Sequence, residues 1–469
     1  MTDPDRGARG RRPRAVVLVG GPANPYSRAI RLGRALVDQG YDVEIAATHE
    51  AGAPLEERHG DVVLRRYPAS GVFGRLMAVE RPTTGSGGAG GPGRSPAGAP
   101  PTAAPPAAAA SRSSLASRLL RRARRGPAEW IFWPHTVRGW WHTLARELPP
   151  ADLYHACGTL PIAAALAARE RDRRAGRRSA VIFDVIDVTT ESNNVLRIPG
   201  PVLRWLARRE RGWARRADGL TAVTEPFADW AVEHWRLERR PTVVPNYPEP
   251  WSPPAGPPPD LVRAATGLSA STKILLFWGR LGPYVGLDQA AEAMLLVPDT
   301  ALVLLGFGRG WAASVARDAE PRFAGRHFTL PAVHPDALPA WVASADVAMN
   351  SLPPLSYSGR YTFLNKFFEA MTGGTPMVLG PDLPTMEAVL RREDLGRVAA
   401  SMAPSDIAAA IRAILELPPT ERAAWRERIA RTARERYSWP IAAAAYRGLV
   451  AELGAPAAQE PATDPLAAS

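Results

Sequence analysis

The stretch YTFLNKFFEAMTGGTPMVLG, Tyr361–Gly380, sets an apolar run of helical period against two glycines and a second, continuous apolar run. A helix starting near Thr362, stopped at Gly373 and Gly374 and followed by a buried strand TPMVLG is the reading this order dictates. Lys366 and Glu369 interrupt the apolar face. The lysine stands out because the chain holds only two, Lys273 and Lys366, and writes its other cations as arginine.

The same grammar recurs on both sides of this stretch. KILLFWG, TALVLLGFG and DVAMNSL read as strands and LDQAAEAMLLV and DALPAWVASA as helices. Their apolar runs are continuous rather than alternating, as in parallel strands covered on both faces. In the first half AVVLVGG is a strand ending in glycines, Ser27 to Gln39 a helix stopped by Gly40, and YDVEIAA a second strand, together a β-α-β unit. DLYHACG, SAVIFDVIDV, GLTAVT and TVVPN continue the strands, with IAAALAARERDRR and VLRWLARRERGWARRA as helices between them. The expected fold class is α/β: two Rossmann-like, doubly wound parallel-sheet domains with a ligand cleft at the carboxyl ends of their strands.

A chain of 469 residues is too long for one ordinary core, which agrees with two domains. The expected layout is a basic disordered tail over 1–13, a first domain over 14–247, a Pro-rich linker over 248–262, a second domain over 263–435 and a tail over 455–469. Residues 81–113 are Gly, Pro, Ala, Thr and Ser with almost no large apolar side chain, so a disordered insertion is expected there. Cys157 is the single cysteine, which excludes an intrachain disulfide. No apolar run is long enough for a signal peptide core or a spanning helix, and the expected location is cytoplasmic.

The net charge of +12 is unevenly placed: Met1 to Arg14 and RLLRRARR at 118–125 hold eight of the excess charges. No nucleic-acid-binding pattern surrounds them, and nucleic acid is not an expected partner. Trp130, Trp133, Trp140 and Trp141 follow the second cluster, and arginines beside interfacial aromatics suit an anionic membrane surface. The segment 118–142 is therefore read as a peripheral membrane contact, against the alternative of core tryptophans with a solvated arginine face.

Several chemical features fall at successive strand ends of the second half. Arg280 closes KILLFWG and precedes LGPYVG, whose glycines would let a ligand approach the backbone; Gly306 and Gly308 close the next strand. The helix start near Thr362 offers unpaired amides, Lys366 adds a charge, and Glu369 lies one turn on from Asn365 and Lys366. Cations and a helix N-terminus suit phosphate, and a carboxylate beside them can accept from the vicinal hydroxyls of a ribose, so the combination points to a nucleotide. Taken singly, a glycine after a strand is an ordinary turn, and Lys366 with Glu369 would equally make a surface ion pair. No His, Cys or carboxylate cluster has metal-ligand spacing, and no metal is expected.

Together, GRLGPYVGLDQAAEAM, LLGFGRG, ADVAMNSLPP, NKFFEAMTGGTPMV, LGRVAA and RYSWPIAAAAYRGL resemble the group 1 glycosyltransferases, family 4-like retaining enzymes of GT-B fold. DLYHACG, IFDVIDVTTE, RRADGLTAVTEP and VVPN fit the same family in the same order. The resemblance implies transfer of a sugar from a nucleotide diphosphate sugar to an acceptor hydroxyl, with no bound cofactor. It implies donor binding by Gly279, Arg280, Gly306, Thr362, Phe363, Leu364, Asn365, Lys366 and Glu369, with Arg280 on the diphosphate and Glu369 on the ribose. Gly20, Gly21, His155, Asp187 and Glu191 would face the acceptor, and Asp187, Arg280 and Lys366 are the candidate catalytic groups. The segment 436–454 would cross back to brace the first domain. The basic, Trp-bearing segment 118–142, rather than the resemblance, points to a lipid-linked or envelope-glycan acceptor reached from the inner membrane face.

Three positions depart from the family pattern. Tyr361 stands where a second glutamate contacts the donor sugar, Val285 where a lysine precedes Gly286, and Ile186 where many members have a histidine. Lys366 would replace the missing charge. The departures also keep open a non-catalytic GT-B protein that binds a nucleotide or a partner. A dinucleotide dehydrogenase is the weaker third reading, because VGGP after the first strand lacks the G-x-G-x-x-G spacing.

Overall fold

The structure is a computed structural model that describes residues 12–21, 23, 27–49, 52–68, 141–192, 200–253, 260–282, 285–350, 353 and 355–454. Tail residues 1–11, the insertion expected at 81–113, most of the basic segment (118–140) and the tail 455–469 lie outside the described residues. The described residues all fall in one compact unit.

Two sheets build it. The first holds β1 (Arg14–Val19), β2 (Asp42–Thr48), β3 (Glu56–His59), β4 (Val62–Tyr67), β5 (Leu153–Cys157), β6 (Ala180–Val185), β7 (Gly219–Ala222) and β8 (Thr242–Val243) in the order β3-β4-β2-β1-β5-β6-β7-β8. The second holds β9 (Lys273–Arg280), β10 (Thr300–Phe307), β11 (His327–Pro331), β12 (Val347–Asn350), β13 (Met377–Leu379) and β14 (Gly396–Val398) in the order β11-β10-β9-β12-β13-β14. All pairs are parallel except β3 with β4. Central strands such as RAVVLV, AVIFDV and KILLFWGR bury nearly every residue, which is why their apolar runs do not alternate.

The strand order reverses between β1 and β5 in the first sheet and between β9 and β12 in the second. At such a reversal the flanking helices lie on opposite faces and leave a crevice beyond the carboxyl ends of the strands. Gly20 and Gly158 follow the first pair, and Arg280 ends β9.

Three strands escape the periodicity. β3, EERH, is a charged edge strand, and β11, HFTLP, and β14, GRV, are too short to carry a continuous apolar run. SAVIFDVIDV also ends earlier than its apolar run, at Val185, with Ile186 to Val188 turning out of the sheet. The helix expected from Thr362 is split: Tyr357–Tyr361 forms a short turn capped by Ser356, Thr362 closes it, and the main helix runs Asn365–Thr372.

Each sheet has its own apolar core. One gathers side chains from Val262 to Tyr437, the other those of the first sheet together with Trp439, Ala442, Ala443, Tyr446 and Val450 from the last helix, Trp439–Leu453. Tyr247 packs against both, stacking edge-on to Phe368 at 4.7 Å. No helix among the described residues is long and apolar enough to cross a membrane.

Candidate active site

On the second-sheet side, Arg280 is exposed at the end of β9. Gly279 before it has φ of +105°, a conformation that admits few other residues. Gly306 has a packing reason to be glycine: a Cβ there would lie 2.4 Å from Leu281 Cγ. The Leu281 amide donates to Phe307 O at 2.7 Å, so the two strand ends are tied together.

The phosphate-facing amides differ from expectation. The Thr362 amide is spent on Ser358 O at 3.0 Å, because the short helix before it needs that bond to close. Phe363 and Leu364 lead into the new helix start, where Leu364 offers no side-chain cap. Asn365 accepts from Asn246 Nδ2 at 2.7 Å, a contact from the segment just after β8.

Lys366 does not stand free at this helix start. Its Nζ lies 4.0 Å from the Phe277 ring centroid, and burial, only partly opposed by Glu369, brings its pKa down to about 8. Glu369 accepts from the Trp278 indole N–H at 2.6 Å. Burial raises its carboxyl above the usual range against the pull of Trp278, Lys366 and Arg31. Arg31 reaches this region from the first helix. It is 8% exposed, donates to Asn246, and its Nε has no partner among the described residues.

On the first-sheet side, Gly20 makes room for Leu160, whose Cβ would be 2.8 Å from a Cβ at this position, and Gly21 O accepts from the Thr48 amide. Asp187 follows β6 and accepts from the Ser358 hydroxyl of the second half, and Ser358 Oγ accepts in turn from the Val188 amide at 3.3 Å. Burial raises the Asp187 carboxyl, against the hydrogen bonds it accepts from Ser358 and the Val188 backbone. Glu191 is exposed on the 3-10 turn Thr189–Glu191.

His155 is not on the acceptor side. It is fully buried, with Nδ1 3.1 Å from Tyr446 Oη and Nε2 3.6 Å from Asp184. Strand β5 alternates, and His155 points into the core where the last helix crosses. His155, Cys157 and Asp184 bring potential ligand atoms within 4.8 Å of one another, a juxtaposition invisible in sequence spacing. Asp184 is already gripped by Arg28, Nε at 2.7 Å and Nη2 at 2.8 Å, and by Thr221 at 2.8 Å, so a cation there would have to displace a guanidinium.

The sequence reading missed Arg28, Asp184, Glu210, Asn246, Trp278 and Ser358. Two left a signal. An aspartate inside AVIFDV demands a partner, and Glu210 shares the helical stripe of Leu206 and Trp213, the buried side of an otherwise basic helix.

Two parallel Rossmann-like sheets with a reversal point in each are the GT-B architecture. Residues 272–417 match the family model described as glycosyl transferases group 1. No curated protein matches the sequence. Among solved structures the chain is similar to sucrose-phosphate synthase from Thermosynechococcus elongatus, with TM-score 0.64 and 16% identity over 94% of this chain and 99% of that one. Anabaena HepE in complex with UDP and glucose gives TM-score 0.59 and 14% identity over 94% and 100%. The UDP-forming α,α-trehalose-phosphate synthase from Burkholderia xenovorans in complex with glucose-6-phosphate gives 0.57 and 15% over 94% and 100%. These likenesses share the fold.

Proposed function

We propose that the chain is a retaining glycosyltransferase that moves a sugar from a nucleotide diphosphate sugar to an acceptor hydroxyl. The observation that carries this reading is the placement of Arg280, the Asn365 helix start and Glu369 at one reversal point, inside the stretch that matches the family. A similar structure holding UDP and glucose supports the donor class. Arg280 would balance the diphosphate as charge develops on it, and Glu369 would take the ribose hydroxyls. Asp187 would lie on the acceptor face. Such catalysis rests on position and preorganised charge, so the reading asks for no resident cofactor.

A second reading, a non-catalytic nucleotide- or partner-binding protein, draws on Tyr361. Its ring lies 4.5 Å from that of Tyr357, which donates to Pro226 O of the first half at 3.2 Å. Calorimetry with a panel of nucleoside diphosphates, followed by donor-sugar hydrolysis, separates the two. Binding with turnover is expected; binding without turnover on any donor selects the second reading.

The acceptor would be a lipid-linked or envelope glycan met on the cytoplasmic face of a membrane, with 118–142 as the contact. Trp141, at the described end of that segment, packs edge-on to Trp213 of the basic Gly200–Ala214 helix at 5.2 Å. Deleting 115–140 is expected to abolish flotation with anionic liposomes; unchanged flotation would end the membrane reading.

A further inference from the structure

One buried ionisable group outside the assigned residues stands directly beneath the first sheet's share of the site. Glu210 is 1% exposed, and its Oε1 accepts from Thr159 Oγ1 at 2.5 Å. Thr159 Oγ1 is in turn 2.7 Å from the hydroxyl of Thr189, which opens the 3-10 turn two residues after Asp187. Glu210 Oε2 has no hydrogen-bond partner among the described residues. Beside this chain of hydroxyls, Ile186 packs under Gly158 and Val188 is 1% exposed with its amide on Ser358.

We propose that Glu210 is a positioning residue: it pins the loop from Ile186 to Glu191 and so sets the Asp187–Ser358 contact that joins the two halves of the site. Its effect on turnover rests on the glycosyl-transfer reading; its effect on the loop does not.

The physical case begins with the unpartnered oxygen. An ionised carboxylate removed from water, with one oxygen lacking a donor and a second carboxylate close by, is disfavoured, so the neutral acid is the form that fits. Burial is the main cause, the charge of Asp187 adds to it, and the hydroxyls of Thr159, Thr189 and Thr190 oppose it, leaving the carboxyl pushed up to about 7. The groups facing Glu210 are Thr159 from the Thr159–Arg174 helix, Thr189 and Thr190 from the 3-10 turn, and Asp187 from the loop before it, and of these Asp187 is the charged one. When Glu210 ionises, two carboxylates share one buried region. Their repulsion falls on the short loop between them, and the Asp187–Ser358 contact is the part free to give way.

Hydrogen–deuterium exchange on the full chain tests this, followed in peptides spanning 186–192 and 356–362 and corrected for intrinsic rates. Wild-type protection in both peptides is expected to fall about tenfold between pH 6 and pH 8, as Glu210 ionises. Glu210→Gln is expected to keep its protection over that whole range, and Thr189→Val to lose it at every pH. A Glu210→Gln chain that follows the wild-type pH dependence overturns the proposal, as does a folded Thr189→Val chain with wild-type protection. Where a donor is turned over, kcat should lose its limb near pH 7 in Glu210→Gln with KM unchanged. A wild type that turns over no donor would sink the transfer reading while the exchange data still decide the role of Glu210.

Discussion

Arg28→Met is expected to lower the stability of the protein by about 3–5 kcal/mol, the largest single effect we foresee. The guanidinium forks onto Asp184 with side chains 4% and 0% exposed and also donates to Val244 O at 2.9 Å. Removing it leaves a buried carboxylate without its cation, which costs far more than the pair itself contributes. Denaturant melts should also reveal a change of sign with pH. In the wild type, burial pushes the Asp184 carboxyl up, but Arg28 and His155 outweigh it and hold it well below the usual range. Its contribution is therefore present above the unfolded aspartate value of about 3.8 and is lost only as the pH falls further. In Arg28→Met the largest opposing influence is gone and only His155 and the Thr221 hydroxyl remain against burial, so the folded value rises and stability should fall as pH increases from about 4 upward. The double variant Arg28→Met, Asp184→Leu should recover most of the loss, since it removes both charges. A single variant as stable as wild type would mean that the pair is not buried in solution.

Arg280→Ala is expected to cut turnover by about 10²–10³-fold, with a much smaller change in donor affinity, because a cation on the leaving diphosphate matters most as charge develops. Lys366→Met is the informative comparison. The structure holds Lys366 over the Phe277 ring and beside Glu369, so its loss should cost clearly less than that of Arg280. Single-turnover kinetics on a donor found by the nucleotide panel would measure both. Wild-type turnover in Arg280→Ala would remove the guanidinium from the reaction, and equal losses would restore Lys366 as the second cation.

Much of the second half was legible because its signals are local. A continuous apolar run, a glycine at a strand end and a helix stopped by Gly373 and Gly374 each act within a few residues. The exact helix start was not legible, because Ser356 caps an extra turn and Thr362 closes it, and that choice depends on where Tyr357 and Ser358 meet the first half. His155 was misplaced for a related reason. A strand gives the alternation of its side chains but not which side will be covered, and here Tyr446, 291 residues away, covers it. The Glu210–Thr159–Thr189 chain joins a helix, a helix start and a turn that no spacing rule connects. Charged β3 was hidden because edge strands owe their pairing to β4 rather than to their own composition.

The position of the last helix bears on how the chain is made. Strands β1 to β8 are complete once Val243 has been synthesised, yet their core includes Tyr446 and Val450. At ribosomal rates of about 5–20 residues per second, that core stays open for about 10–40 s while the second sheet is translated. The nascent first half must therefore persist with an uncovered apolar face and an uncapped His155, while the second half, whose core lies within its own segment, can close first.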